Sequence, residues 1–315
     1  MMLGRSDATG PVHVHDAMTS PLRLACVVAA VGLVAASGCA ARTPPEAPPR
    51  APAGLALTAR GRGPDVVLVH GALGDYRQWE PISTALPRSY RVIAVSRRFH
   101  WPNPPPAGGV PYTFEAQSAD LDALLRSLGR PAHVVGHSYG AGVALLTALR
   151  HPELVRSLTL IEPPFGSLVL PAVPGFAGEL ASRDSIVAAL RVSVRGGEAE
   201  RAAEAFIDWV QWGPGGFRRL PRAVQEGLRA NAATVGPTYA APAPRVTCDE
   251  LRALRLPVLV LRGERTRPWF RLIAEAAAGC IPGAGAAVVP AAGHMAIVEN
   301  PGGVAGLVAS FIARH

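Results

Sequence analysis

The chain has 315 residues, of which 49% are hydrophobic, and it carries a formal net charge of +8 at pH 7. This length and apolar content are sufficient to bury the core of one α/β domain, which excludes a largely disordered chain. The 31 basic residues are all arginines and are dispersed without a basic run, so the charge does not indicate a nucleic-acid-binding protein.

The first 38 residues have the composition of an export signal. An uncharged apolar stretch covers residues 24–41, and a start at Met18 would leave a short basic segment ahead of it. The sequence ASGC at 36–39 resembles a bacterial lipobox, although alanine stands where leucine is usual. We therefore expect an exported protein, either periplasmic or attached to a membrane through a lipidated Cys39. A cleaved signal without lipidation and a retained apolar anchor are the alternatives.

The composition divides the chain into five segments. Residues 1–38 form the leader, and the proline-rich residues 39–53 form a semi-rigid extended tether. Two parts of an α/β core, 54–163 and 256–315, flank a predicted helical cap at 164–255.

The first part of the core alternates strands with helices. The run DVVLVH is apolar on both faces, as a central parallel strand requires. The predicted strands are Leu55–Ala59, Asp65–His70, 91–96 and 132–136, and the predicted helices are Tyr76–Leu86, Thr113–Leu128 and Ala141–Arg150.

The second half of the chain returns to this alternation after a long helical stretch. Strands are expected at 157–162, 258–263 and 286–290, with helices at 268–278 and 299–314. Between them, amphipathic segments predict cap helices at Ile186–Val194, Glu198–Trp212 and Leu220–Ala230. Such alternation predicts a mostly parallel central sheet flanked by helices, with the cap inserted before the last two strands.

The sequence GHSYG at 136–140 fits the G-x-S-x-G pattern and lies between a predicted strand and a predicted helix. This context favours a strained turn that exposes the hydroxyl of a nucleophilic Ser138. Gly136 and Gly140 are expected there because larger side chains would clash with the neighbouring strand and helix.

Two backbone amides are candidates for stabilising an oxyanion. The glycine-rich corner HGALG follows the second buried strand, and the N–H of Ala72 is the expected donor there. The N–H of Tyr139 is the expected second donor, because it begins a helix whose positive dipole end faces the same point. We interpret His70 as structural.

His294 is the candidate general base. It follows the last predicted strand and a glycine, whereas the other histidines lie in the leader, in a strand, after a helix or at the C-terminus. The order serine, acid, histidine is that of one class of serine hydrolases.

From about Gly54 to the C-terminus the segments HGALG, SRRFHWPN, GHSYGAG, LIEPP, LRGER and GHMAIVENP resemble the α/β-hydrolase superfamily. The resemblance implies an α/β-hydrolase fold and a Ser–acid–His triad. Many members carry the acid as an aspartate three residues after a glycine that ends a late strand. In this chain that position is Thr266.

Two glutamates are candidate replacements for the missing aspartate. Glu162 ends the strand SLTLIE, and Glu264 directly follows Gly263. We prefer Glu162, because some relatives place the acid after the earlier strand. Either carboxylate has an alternative role in capping a loop or pairing with an arginine.

These residues predict a serine hydrolase that cleaves an ester, lactone or related acyl bond through an acyl-enzyme on Ser138, without metal or organic cofactor. A serine at the centre of the G-x-S-x-G turn argues against the chemistry of those relatives that attack their substrate with an aspartate at this position. The alternatives are a carbon–carbon bond hydrolase or cofactor-free perhydrolase on the same triad, and a non-catalytic ligand-binding lipoprotein.

Aromatic side chains of the cap are expected either to line a site for a small hydrophobic acyl substrate or to pack the cap core. They are Phe165, Phe176, Phe206, Trp209, Trp212 and Phe217. The mature chain retains two cysteines, Cys248 and Cys280. No spacing rule supports a bridge between them, and we favour two unpaired thiols.

Overall fold

The computed structural model describes residues 55–105, 109, 111–169, 173–240 and 244–315. The predicted leader, the tether and the lipidation candidate Cys39 lie outside the described residues. Among the residues described, no helix combines the length and apolarity needed to cross a bilayer.

The described residues contain a seven-stranded sheet. Its strands are β1 (Ala56–Arg60), β2 (Asp65–Val69), β3 (Arg91–Ser96), β4 (Ala132–His137), β5 (Val155–Ile161), β6 (Val258–Gly263) and β7 (Gly285–Val289). The spatial order is β1-β3-β2-β4-β5-β6-β7. The edge strand β1 is antiparallel to β3, and every other pairing is parallel. The mostly parallel sheet predicted from the sequence is confirmed.

Helices cover both faces of this sheet. They are α1 (Glu80–Ala85), α2 (Phe114–Ser127), α3 (Tyr139–Arg150), α4 (Phe176–Arg195), α5 (Ala199–Val210), α6 (Gly216–Arg219), α7 (Arg222–Ala230), α8 (Val235–Ala240), α9 (Cys248–Arg252), α10 (Pro268–Cys280), α11 (Ala296–Glu299) and α12 (Pro301–Ile312). Helices α1, α11 and α12 pack on one face, and α2, α3 and α10 pack on the other. Every residue of β2, β3 and β4 is therefore buried.

Helices α4 to α9 lie in the chain between β5 and β6, the region predicted to form the helical cap. Helix α4 begins at Phe176, ten residues before its predicted start at Ile186. Its buried side chains are Phe176, Val187 and Leu190, so its first turns lack the apolar spacing that reveals a helix in a sequence.

Several polar contacts among the described residues join the cap to the core, and two of them involve Arg267 and Asn231. Arg267, which precedes α10, donates through Nε to Glu179 Oε2 at 2.5 Å and through Nη2 to Ser182 Oγ at 2.7 Å. Asn231, which follows α7, donates to Asp75 Oδ2 at 2.8 Å and accepts from the backbone N–H of Trp101 at 2.7 Å. Each contact joins a cap helix to a loop at the sheet edge where the parallel strands end.

Cys248 and Cys280 form a disulfide, so the prediction of two unpaired thiols is wrong. Thr247 caps α9 in a reciprocal arrangement with Glu250, which fixes Cys248 at the first position of that helix. Cys280 ends α10, and the two Cα atoms are 5.1 Å apart. The cysteines are 32 residues apart in the chain, and it is the packing of α9 against α10 that brings them together.

We expect reduction of this disulfide, or the double change Cys248→Ala and Cys280→Ala, to lower the free energy of unfolding by about 3–4 kcal/mol. The physical reason is the loop-closure entropy that the crosslink removes from the unfolded chain. Urea unfolding with and without a reductant measures the difference. The double-alanine variant is the control, because a reductant should not change its midpoint; equal midpoints for oxidised and reduced wild type would contradict the expectation.

Candidate active site

Ser138 occupies a sharp turn between β4 and α3, with φ 51° and ψ −119°. The turn fits only because two neighbouring residues lack side chains. A methyl group at Gly136 would lie 2.5 Å from the carbonyl oxygen of Gly140, and one at Gly140 would overlap the carbonyl of Val69. The surrounding packing holds Ser138 in this rarely adopted backbone conformation.

Ser138, His294 and Glu162 lie in a hydrogen-bonded row at the carboxyl ends of the parallel strands. His294 Nε2 is 3.0 Å from Ser138 Oγ, and His294 Nδ1 is 3.1 Å from Glu162 Oε2. All three residues are buried, with Glu162 fully inaccessible. The row has the geometry of a nucleophile, a base and an orienting acid.

Glu162, the preferred acid candidate, directly follows β5, and its backbone has φ 55°. Its Oε1 accepts from the backbone N–H of Gly263 at 2.6 Å, and its Oε2 accepts from Thr266 Oγ1 at 2.6 Å. Thr266, at the position where the family resemblance implied an aspartate, thus donates to the glutamate that contacts His294.

Glu264, the alternative candidate, lies apart from this row. Its Oε2 accepts from the backbone N–H of Ala291 at 2.7 Å, which braces the loop leading to His294. Among the described contacts, none joins Glu264 to His294. The structure therefore brings Glu162 to the histidine and gives Glu264 a loop contact.

Burial sets the charge states of the row. Burial raises the pKa of the Glu162 carboxyl to about 7, against hydrogen bonds from Thr266 and Gly263 that lower it. Burial also lowers the pKa of the His294 imidazole to about 3. Above pH 7 the imidazole is neutral and the carboxyl is ionised, which is the combination that a general base with an orienting acid requires.

The two candidate oxyanion donors border the same space as the serine. Ala72 and Tyr139 line a cavity together with Ser138. Neither backbone N–H donates to a backbone carbonyl among the described residues. Tyr139 is the first residue of α3, so its amide belongs to the unsatisfied set at a helix N-terminus.

Arg97 holds the loop that carries Ala72, and sequence reasoning did not single it out. Its guanidinium donates to the carbonyl of His70 at 3.1 Å and to that of Gly71 at 2.7 Å, and it also contacts Gln117 Oε1. It lies over the ring of Tyr139, 4.6 Å from the ring centre. The buried guanidinium of Arg97 therefore contacts both the loop that carries Ala72 and the side chain of Tyr139. In the sequence, the only signal for this role is the position of Arg97 directly after a buried strand.

Histidines around the site are structural partners in their neutral form. His70 accepts at Nε2 from the backbone N–H of Arg97 at 2.9 Å, so its Nδ1–H donates to the carbonyl of Gly71 at 2.8 Å. His137 Nε2–H donates to the carbonyl of His294 at 2.8 Å. Burial lowers the pKa of His137 to about 3 and places that of His70 well below its usual range.

A cavity of about 250 Å³ opens beside Ser138. Phe270 stacks on the imidazole of His294, with ring centres 3.7 Å apart, and forms part of the wall. Of the cap aromatics proposed from the sequence, Phe206 and Trp209 line this cavity. The others are placed elsewhere: Phe165, Phe176 and Phe217 are buried in the core, and Trp212 is exposed.

No group of three or more histidine, cysteine, aspartate or glutamate side chains within the described ranges is arranged to hold a metal ion.

Comparisons with known proteins identify the family of the chain. Residues 66–307 match the model of the Alpha/beta hydrolase family. The chain is 26% identical over 261 residues to a 2-(acetamidomethylene)succinate hydrolase of Mesorhizobium japonicum, covering 78% of this chain and 87% of that protein. It is 32% identical over 218 residues to a pimeloyl-[acyl-carrier protein] methyl ester esterase of Methylococcus capsulatus, covering 68% and 81%.

Solved structures show the same architecture. A thermophilic esterase from Thermogutta terrifontis is 27% identical and superposes with a TM-score of 0.65, over 82% of this chain and 93% of that one. The matched segment of the family model spans more than half of the 315 residues and includes Ser138, Glu162 and His294. The chain therefore belongs to the alpha/beta hydrolase family.

Proposed function

We propose that this hydrolase cleaves a carboxylic ester or lactone through an acyl-enzyme on Ser138. The observation that carries the proposal is the row Ser138–His294–Glu162, in which each hydrogen bond is 3.0–3.1 Å long and every member is buried. The match to an esterase from Methylococcus capsulatus supports the same reaction class.

Acylation begins with attack of Ser138 Oγ on the substrate carbonyl carbon, while His294 Nε2 takes the hydroxyl proton. The carbonyl oxygen gains negative charge and faces the amides of Ala72 and Tyr139, which stabilise it without rearranging. His294 then gives its proton to the leaving alcohol, and an ester of Ser138 remains.

Deacylation repeats these steps with water as the nucleophile. His294 Nε2 takes a proton from the water, the same two amides stabilise the second oxyanion, and the proton returns to Ser138. Ionised Glu162 accepts the Nδ1–H throughout, which keeps Nε2 free to act as a base and stabilises the imidazolium.

The disulfide supports a second proposal, that the chain is exported. Stable disulfides persist mainly in oxidising compartments such as the bacterial periplasm. We propose that the leader 1–38 directs export and that Cys39 is lipidated. Intact mass of the membrane-extracted native protein tests this, with a chain that begins at diacylated Cys39 as the expected product. A mature chain with an unmodified Cys39 would overturn the lipidation proposal.

Two matched glutamate variants test the acid. Glu162→Gln should lower kcat/KM on a p-nitrophenyl ester by roughly 10²–10⁴-fold, because the amide no longer orients and stabilises the imidazolium. Glu264→Gln keeps a carbonyl oxygen that can accept from the Ala291 N–H, so its kcat/KM should stay within about twofold of the wild-type value. Intact-mass measurement of the fluorophosphonate adduct rate gives an independent readout, and Ser138→Ala should form no adduct.

Two results would contradict these roles. A folded wild type that forms no fluorophosphonate adduct would indicate a binding module without a working nucleophile. A larger loss of kcat/KM in Glu264→Gln than in Glu162→Gln would assign the role of the acid to Glu264, in the loop after β6. Thermal unfolding of each variant establishes that the compared proteins are folded.

The pH profile should report the ionisation of Glu162. Because burial raises the pKa of this carboxyl to about 7, kcat/KM should fall as the pH drops through about 7 and should be level above it. Thr266→Val removes a hydrogen bond that favours the ionised form, so the falling limb should move to higher pH, whereas Thr266→Ser should leave it in place. If kcat/KM of Glu162→Gln still falls as the pH drops through about 7, the fall reports the ionisation of another group.

A further inference from the structure

Helix α4 presents two cations to the cavity beside Ser138. Arg183, Val187 and Arg191 follow one another at intervals of four residues, so they lie on one face of the helix. All three line the cavity. The cap thus places positive charge at a cavity that Ser138 also lines.

The rest of the cavity wall does not neutralise these charges. No aspartate or glutamate among the described residues lines it. The wall is otherwise aromatic, aliphatic or hydroxylic, and includes Phe114, Ile186, Phe206, Thr238 and Trp269. A ligand that fills this space therefore meets apolar surface along most of its length and cations at one side.

The contacts of the two arginines leave donors for a ligand. Arg191 directs Nε and Nη2 to the carbonyl of Tyr239 at 3.0 and 2.7 Å, which orients the guanidinium but leaves its charge. Arg183 donates to Asp184 at 2.9 Å, and the two side chains are 33% and 59% exposed. Such a half-exposed pair is weak, so a ligand can replace it at small cost.

Two other arginines near the site, Arg267 and Arg97, make hydrogen bonds within the protein that hold the structure around the site together. Arg267 is paired with Glu179 and bonded to Ser182, and Arg97 braces the oxyanion loop. Arg183 and Arg191 differ because they line the cavity and make no buried ion pair within the described residues. Arginine matches the planar two-oxygen geometry of a carboxylate, and such charge-assisted hydrogen bonds are among the stronger ones.

We propose that the cavity binds esters whose acyl chain ends in a free carboxylate, with the scissile carbonyl at Ser138 and the carboxylate at Arg183 and Arg191. The proposal rests on the proposed ester hydrolysis and narrows its substrate class. The apolar middle of the chain packs against the aromatic wall, and the two arginines select against acyl chains that end in a methyl group.

Matched substrates of equal chain length isolate this selection. The p-nitrophenyl monoesters of succinic, adipic and suberic acid are compared with p-nitrophenyl butyrate, hexanoate and octanoate. For at least one length, wild-type kcat/KM should favour the carboxylate ester. Arg183→Gln and Arg191→Gln should each lower kcat/KM on that ester by about tenfold and change the methyl-ended partner by less than about twofold.

Arg195→Gln is the control variant, because Arg195 is an exposed arginine of the same helix that does not line the cavity. It removes the same charge and should leave both substrate series unchanged. Equal effects of Arg195→Gln and Arg191→Gln would indicate general charge attraction and would overturn the proposed site. Equal losses on carboxylate and methyl-ended esters would also overturn it.

Binding to Ser138→Ala separates this proposal from the hydrolase proposal. Calorimetric titration with monomethyl adipate and methyl hexanoate requires no turnover. Tighter binding of monomethyl adipate, lost in the Arg183→Gln and Arg191→Gln backgrounds, supports the carboxylate site even if wild type cleaves no ester. If the titration shows no preference for monomethyl adipate while wild type hydrolyses the methyl-ended esters normally, the carboxylate site is overturned. The hydrolase proposal is then unaffected.

Discussion

The buried hydrogen bond between His294 and Glu162 is the interaction on which the site depends. Taking a carboxylate out of water is costly, and the protein offsets that cost with donors from Gly263, Thr266 and His294. Those donors come from the ends of β6 and β7, so the sheet must be complete before the carboxylate is fully satisfied. The fold and the ionisation of the site are therefore linked.

Much of the fold could be predicted because its signals are local. Each of the runs DVVLVH, RVIAVS and VLVLRG is apolar on both faces, as a strand covered by helices on both sides must be. Ser138 was predictable because its strained turn requires glycine at 136 and 140, and such a requirement leaves a readable pattern. His294 was predictable from its position after the last strand.

The remaining features depend on which segments meet in space. The contact between Glu162 and His294 depends on the pairing of β5 with β6, which places Gly263 and Thr266 beside Glu162. The disulfide depended on the packing of two helices, and the role of Arg97 on carbonyls 26 and 27 residues away in the chain. A pattern within one segment does not contain such information.

The location of Glu162 also places the proposed nucleophile and the proposed acid in a single βαβ unit, formed by β4, α3 and β5. Their separation is fixed by one crossover helix and by the parallel register of two adjacent strands. The cap enters the chain only after this unit ends. Insertions, deletions or exchanges within the cap can therefore reshape the cavity beside Ser138 without changing the distance between Ser138 and Glu162. His294 is the only member of the row that the chain contributes after the cap.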